Sequence, residues 1–216
     1  SHSLIISGPE VEQVAVGDIN GDGIDDLVVG DINWAEGYVK ILFGNKTLPT
    51  TGNLPSSTWN TTISCAGWSG ANYRECFGKQ IQILDLNHDG IKDLAVSAYG
   101  RPDLANTYGV VALFWGKTNW PAQMEATTDA DLVIHGTTVF DHIGAYMAKG
   151  DMDGDGIEDL IFTSYYYPGP GGDGERGKVW ILYGGANYPR EINLPAGGIL
   201  DRYYERAYTN SFFTSI

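Results

Sequence analysis

A nine-residue pattern recurs three times in this chain with its side-chain oxygens in the same register, and few folds can accommodate it. The copies are Asp18-Ile19-Asn20-Gly21-Asp22-Gly23-Ile24-Asp25-Asp26, Asp85-Leu86-Asn87-His88-Asp89-Gly90-Ile91-Lys92-Asp93 and Asp151-Met152-Asp153-Gly154-Asp155-Gly156-Ile157-Glu158-Asp159. Each has Asp or Asn at positions 1, 3, 5 and 9, Gly at 6 and Ile at 7. Ca2+ takes six to eight hard oxygen ligands at about 2.3–2.6 Å, and a short loop supplies them only by curling around the ion. Glycine at position 6 permits the left-handed backbone that the curl needs. Three calcium ions are expected. Their ligands are Asp18, Asn20, Asp22, the Ile24 carbonyl and Asp26; Asp85, Asn87, Asp89, the Ile91 carbonyl and Asp93; and Asp151, Asp153, Asp155, the Ile157 carbonyl and Asp159.

An EF-hand opens the same way but ends on a bidentate Glu at position 12 between helices. Position 12 here is Val29, Val96 or Phe162, and the flanks are β-rich: Val14-Ala15-Val16 precedes the first loop and Leu27-Val28-Val29 follows it. Calcium loops at the turns of β-hairpins are the better reading.

The loops are spaced 67 and 66 residues apart, so repetition is the architecture. After each loop comes a short apolar strand (Leu27 to Gly30, Leu94 to Ser97, Leu160 to Thr163). A strand bounded by glycines follows: Gly37 to Gly44, Gly109 to Gly116 and Gly177 to Gly184. A fourth strand is expected at Thr61 to Ser64 and at Asp131 to His135; Leu4 to Gly8 has the same character, and Ile192-Asn193-Leu194 reads as the start of another. Four strands per repeat, joined up and down, make a propeller blade. The expected fold is all-β: three four-stranded blades, at about 9–65, 76–136 and 142–195, with an aromatic tail, 196–216, packing on a neighbouring blade or a partner.

The Asp-rich loops and glycine-bounded strands resemble the FG-GAP repeat of integrin α-subunit propellers. Phe77-Gly78 opens the second repeat as in that family, Ile143-Gly144 nearly does, and Glu10-Val11 departs from it. The resemblance covers roughly residues 4 to 195 and implies a partial propeller, since the family usually closes a ring of seven blades. The chain is therefore expected to be part of a longer polypeptide, or to complete its ring with further blades or other subunits. FG-GAP repeats also accompany secreted enzymes, including a phospholipase.

The net charge of −14 reflects the loops, because ten of the 27 acidic residues are their Asp ligands. Such acidity argues against nucleic acid, which requires a basic footprint. No apolar run is long enough to cross a bilayer, so no membrane insertion by this segment is expected. Cys65 and Cys76 are expected to form a local disulfide, and Asn45-Lys46-Thr47 and Asn60-Thr61-Thr62 are glycosylation sequons at Asn45 and Asn60. With calcium loops suited to millimolar calcium, these features favour an extracellular or cell-surface setting.

The sequence carries no Gly-x-Ser-x-Gly, Walker or His-Glu-x-x-His motif. His135 and His142 are too few for a zinc site and read as ordinary loop histidines. A non-enzymatic module for adhesion, ligand recognition or surface assembly is the first expectation; an accessory propeller of a secreted phospholipase or polysaccharide-degrading enzyme is the second. A protein or glycan ligand would bind the face opposite the calcium loops. There the strand order collects Trp34, Trp68, Tyr73, Arg74, Tyr99, Arg101, Tyr165, Tyr166, Tyr167 and Arg176, the side-chain types that anchor interfaces.

Overall fold

In the computed structural model, each Asp-rich loop is the turn of an antiparallel hairpin. The structure describes residues 4–6, 11–32, 37–47, 52–54, 58–66, 68, 77–99, 108–136, 142–168, 175–185, 187–194 and 204–205. Strand β2 (Val11–Gly17) pairs with β3 (Asp26–Ile32), β7 (Phe77–Leu84) with β8 (Asp93–Ala98), and β12 (Ile143–Gly150) with β13 (Asp159–Pro168). In each hairpin the residue before the loop is opposite its ninth residue: Gly17 with Asp26, Leu84 with Asp93 and Gly150 with Asp159. The glycine-bounded segments form the third strands, β4 (Gly37–Leu42), β9 (Val110–Phe114) and β14 (Glu175–Leu182). In the first two blades, β6 (Thr61–Ser64) and β11 (Leu132–His135) complete four antiparallel strands. The described residues are nearly all β, with one short helical turn at Ala126–Asp129, and form three blades of a partial propeller.

Two of these sheets carry a fifth strand whose pairing no pattern in the sequence announces. The segment between the third and fourth strands of one blade reaches back and pairs in parallel with the outer strand of the blade before it. Thus β10 (Gln123–Glu125) lies on β6, and β15 (Glu191–Asn193) lies on β11. A third pair of the same kind joins β1 (Leu4–Ile6) to β5 (Gly52–Leu54). Leu4–Ile6 therefore stands where the fourth strand of a preceding blade would stand.

This corrects one expectation. Ile192 does not start a fourth strand of the third blade; its segment docks on the second, because Ile192 and Leu194 are buried in the core between the two. The fourth strand of the third blade is β16 (Tyr204–Glu205), which pairs with Lys178 and Val179.

Two apolar layers separate the three sheets. Val28, Val39, Ile41 and Ile63 of the first blade pack with Ile81, Val96, Ala112 and Phe114 of the second. On the other side of the second blade, Ala95, Val111, Leu113 and Ile134 meet Met147, Phe162, Trp180 and Leu182. Each fully buried Val, Leu, Ile or Phe side chain among them contributes about 1.5–3 kcal/mol. Because the middle blade is covered on both sides, β8 and β9 are buried at every residue, and apart from Asp93 and Ser97 their sequences are apolar without alternation.

The outer face of the first blade differs. Val14 is 54% and Val16 is 61% exposed, whereas Ile81 and Ile83, one repeat later, are 2% and 6% exposed. The opposite end has the same imbalance: Ile19 and Leu86, second in their loops, are fully buried against the next blade, but Met152 of the third loop is 55% exposed.

Candidate metal centres

The three loops share one hydrogen-bonded scaffold. The first Asp folds inward and accepts backbone N–H groups: Asp18 from Gly21 (2.7 Å) and Gly23 (2.8 Å), Asp85 from Asp89 (3.1 Å) and Gly90 (3.1 Å), Asp151 from Gly154 (2.7 Å) and Gly156 (3.0 Å). The third residue accepts from the fifth N–H at 2.9, 3.0 and 3.2 Å, and the fifth accepts from the seventh at 2.8, 2.9 and 2.8 Å. Each of these turns ties a side-chain oxygen to a backbone N–H of the same loop. The sixth residue has φ of +85°, +89° and +88°, a region that glycine enters without steric cost.

The ninth residue does more than its spacing foretells. Asp26, Asp93 and Asp159 are buried, and each accepts the second residue's N–H on one oxygen (3.0, 2.9 and 2.6 Å). The other oxygen accepts from the glycine that closes the third strand: Gly44 at 2.9 Å, Gly116 at 2.9 Å and Gly184 at 2.8 Å. A side chain at any of these three glycines would collide with residues 7 and 8 of the loop. The glycine ending the third strand and the Asp ending the loop thus form one unit, legible in the sequence only as two separate recurrences. Burial raises the Asp93 carboxyl to about 6 and also raises Asp26, in each case against the backbone N–H groups that favour the anion.

Around one ion, oxygens at about 2.3–2.6 Å stand no more than about 5 Å apart. In the third loop Asp151, Asp153 and Asp159 each place an oxygen within 4.8 Å of the others, and the set is all hard oxygen. The residues fit Ca2+. Among the described residues this is the one group of three carboxylates so placed: Asp155 does not join it, and neither Asp18, Asp22 and Asp26 of the first loop nor Asp85, Asp89 and Asp93 of the second are gathered in this way, although they share the same backbone scaffold.

Neighbouring loops touch across the blade interfaces. The Asp18 carbonyl accepts Lys92 N–H (3.3 Å), and the Ile19 carbonyl accepts Lys117 N–H (3.1 Å) and the Trp120 indole N–H (3.0 Å). Leu86 O likewise accepts Gly185 N–H at 2.7 Å. Glu158 crosses to the second loop with its side chain: Oε2 accepts Asp85 N–H (3.0 Å) and Lys92 Nζ (2.7 Å), and Oε1 accepts Lys149 Nζ (2.9 Å). Burial would raise this carboxyl, but the two lysines and the amide outweigh it and hold it at about 2.

At the opposite end, Trp68 packs edge-on against Phe77 at 5.8 Å and covers the core between the first two blades, which is a packing role. Tyr99 is half-buried, and its carbonyl lies 3.1 Å from Nδ1 of the buried His142. Tyr165, Tyr166, Tyr167 and Arg176 belong to the extended ends of β13 and β14, with Tyr167 opposite Arg176, rather than to a loop. Trp34, Tyr73, Arg74 and Arg101 lie outside the described residues, as does Cys76. Cys65 is buried, with Sγ 3.9 Å from Gly37 O. Asn45 and Asn60 are exposed.

The FG-GAP repeat family model matches residues 11–31 and 147–182, which hold the first and third loops. The chain carries FG-GAP repeats. Phosphatidylinositol-glycan-specific phospholipase D of Rattus norvegicus is 30% identical over 185 residues, covering 82% of this chain and 20% of the relative. Its Dictyostelium discoideum counterpart is 31% identical over 179 residues (77% and 19%), and integrin alpha-5 of Xenopus laevis is 29% identical over 206 residues (93% and 17%). The FG-GAP chain thus spans about a fifth of the length of the curated relatives it matches. No helix among its described residues is long and apolar enough to cross a membrane.

Proposed function

We propose that this chain is an extracellular, calcium-stabilised FG-GAP module, non-enzymatic, that serves adhesion, ligand recognition or the assembly of a surface structure. The observation that carries the reading is the loop scaffold, which ties Asp or Asn oxygens to the backbone of the same loop three times, together with the three carboxylates within reach of one ion in the third loop. Calcium there is structural: without it the carboxylates repel, and with it they clamp the first two strands of a blade, so binding and folding are linked. Sequons whose asparagines, Asn45 and Asn60, are exposed and a Cys65–Cys76 disulfide belong to the same reading. The test is thermal melting in millimolar Ca2+ against excess EDTA. A lower midpoint in EDTA is expected, and an unchanged midpoint would overturn the structural role.

The preferred partner is another FG-GAP blade on the outer face of the first. Val14 and Val16 are exposed where Ile81 and Ile83 are covered, and Leu4–Ile6 occupies the place of a preceding blade's outer strand. The end opposite the calcium loops is left for a protein or glycan ligand. A second reading has its own observation. Most of the chain matches part of an enzyme, the phosphatidylinositol-glycan-specific phospholipase D of Rattus norvegicus. On that reading it is the accessory propeller of a secreted enzyme whose catalytic domain lies elsewhere. The sequence of the parent polypeptide separates the two: a flanking hydrolase domain selects the second.

A further inference from the structure

One carboxylate oxygen holds both ends of a neighbouring metal loop. Glu158 Oε2 accepts the backbone N–H of Asp85, the first residue of the second loop, and the Nζ of Lys92, its eighth residue. Glu158 itself sits between Ile157 and Asp159, two of the expected ligands of the third loop, yet its side chain points away from that loop to the second. Lys149, from the strand entering the third loop, fixes the other oxygen at 2.9 Å.

We infer that Glu158 is a positioning residue that couples the second and third metal loops, so that calcium bound at 151–159 tightens calcium at 85–93. The inference rests on the calcium reading proposed above. An ion drawing the Ile157 carbonyl and the Asp159 carboxylate to one centre fixes the backbone on both sides of Glu158. The carboxylate is then ordered before the second loop binds, and it keeps Asp85 and Lys92 at the separation of a closed loop. Groups that orient metal ligands from one shell out commonly change metal affinity by about 10–100-fold. The first loop provides an internal control. At its border the equivalent residue is Lys92, which offers only its N–H to Asp18 O and has no side-chain oxygen to close the loop.

The experiment is a calcium titration of the 15N-labelled 216-residue chain, following the amides of Gly23, Gly90 and Gly156, which report the three loops separately. Asp155→Asn weakens the third loop. It is expected to shift the Gly90 midpoint to about fivefold or more higher calcium, the lower end of ordinary coupling between sites, while Gly23 stays put. By linkage, Asp89→Asn should in turn shift the Gly156 midpoint to higher calcium. Introducing Glu158→Ala should abolish both cross-effects, and Glu158→Gln, which keeps an acceptor for Asp85 N–H, should restore part of them. A Gly90 midpoint indifferent to Asp155→Asn in the chain that retains Glu158, or a shift that survives Glu158→Ala, overturns the coupling. Calcium binding without linkage defeats this inference alone; no calcium binding at any of the three amides defeats the calcium reading with it.

Discussion

Gly30 and Gly78 meet backbone to backbone across the first blade interface, and a Cβ on Gly30 would overlap the Gly78 carbonyl oxygen. Gly78 is at φ +91°, which turns its peptide into the gap, and Phe77 beside it is fully buried in the same layer. The Phe-Gly pair that opens the repeat is thus the close-packed contact between sheets. Gly30→Ala should destabilise the chain by about 1–3 kcal/mol, the usual cost of overpacking where a backbone must shift. Urea denaturation of the two proteins in the same calcium concentration measures it, and equal midpoints would show that the blades separate without cost.

His88 occupies the fourth position of the second loop at φ +59°, where the other loops have Gly21 and Gly154 at +75° and +79°. A side chain in this region costs about 1–2 kcal/mol, and His88 is exposed, so replacing it forfeits no packing. His88→Gly should gain up to about 1 kcal/mol, because the greater freedom of glycine in the unfolded chain cancels part of the relief. A loss of stability in chemical denaturation would mean that the imidazole holds the loop in some other way.

His142 is buried, and burial lowers its pKa, against the hydrogen bond to the Tyr99 carbonyl, which favours the protonated form. A base whose folded pKa lies below its unfolded value of 6.5 supports the fold above that pH, and this support is lost as pH falls through the folded pKa. The stability of the native chain relative to His142→Asn should therefore decline from pH 7.5 towards pH 5, Asn being tolerant of the φ of +44° found there. Denaturant midpoints of the two proteins across that range provide the comparison; a parallel pair of curves would contradict it.

The outer face of the first blade should drive association or seat a further blade. Val14→Lys with Val16→Glu places charge on that face without touching the covered side of the sheet. Light scattering after size exclusion should find the native chain larger than 23.4 kDa and the double variant shifted towards monomer. A native chain that elutes as a cooperative monomer would mean that the face is closed from within.

Much of this molecule can be read locally. The ligand loops follow from oxygen spacing and a sixth-position glycine, and the strands follow from apolar runs between glycines. Thr61–Ser64 lies where its pattern places it. These features are written in residues close together, whose hydrogen bonds span two to seven positions. The contacts that organise the blades relative to one another are of another kind. Gln123–Glu125 pairs with Thr62–Ser64, Trp120 reaches Ile19, and Glu158 reaches Asp85, each across 60 or more residues. A strand's own alternation reports which of its side chains are covered, not which strand covers them, and a three-residue parallel strand such as Gln123–Glu125 is too short to carry a period. Val14 and Ile81 are both apolar residues in equivalent strands of successive repeats. That one is bare and the other enclosed depends on which blade stands beside it.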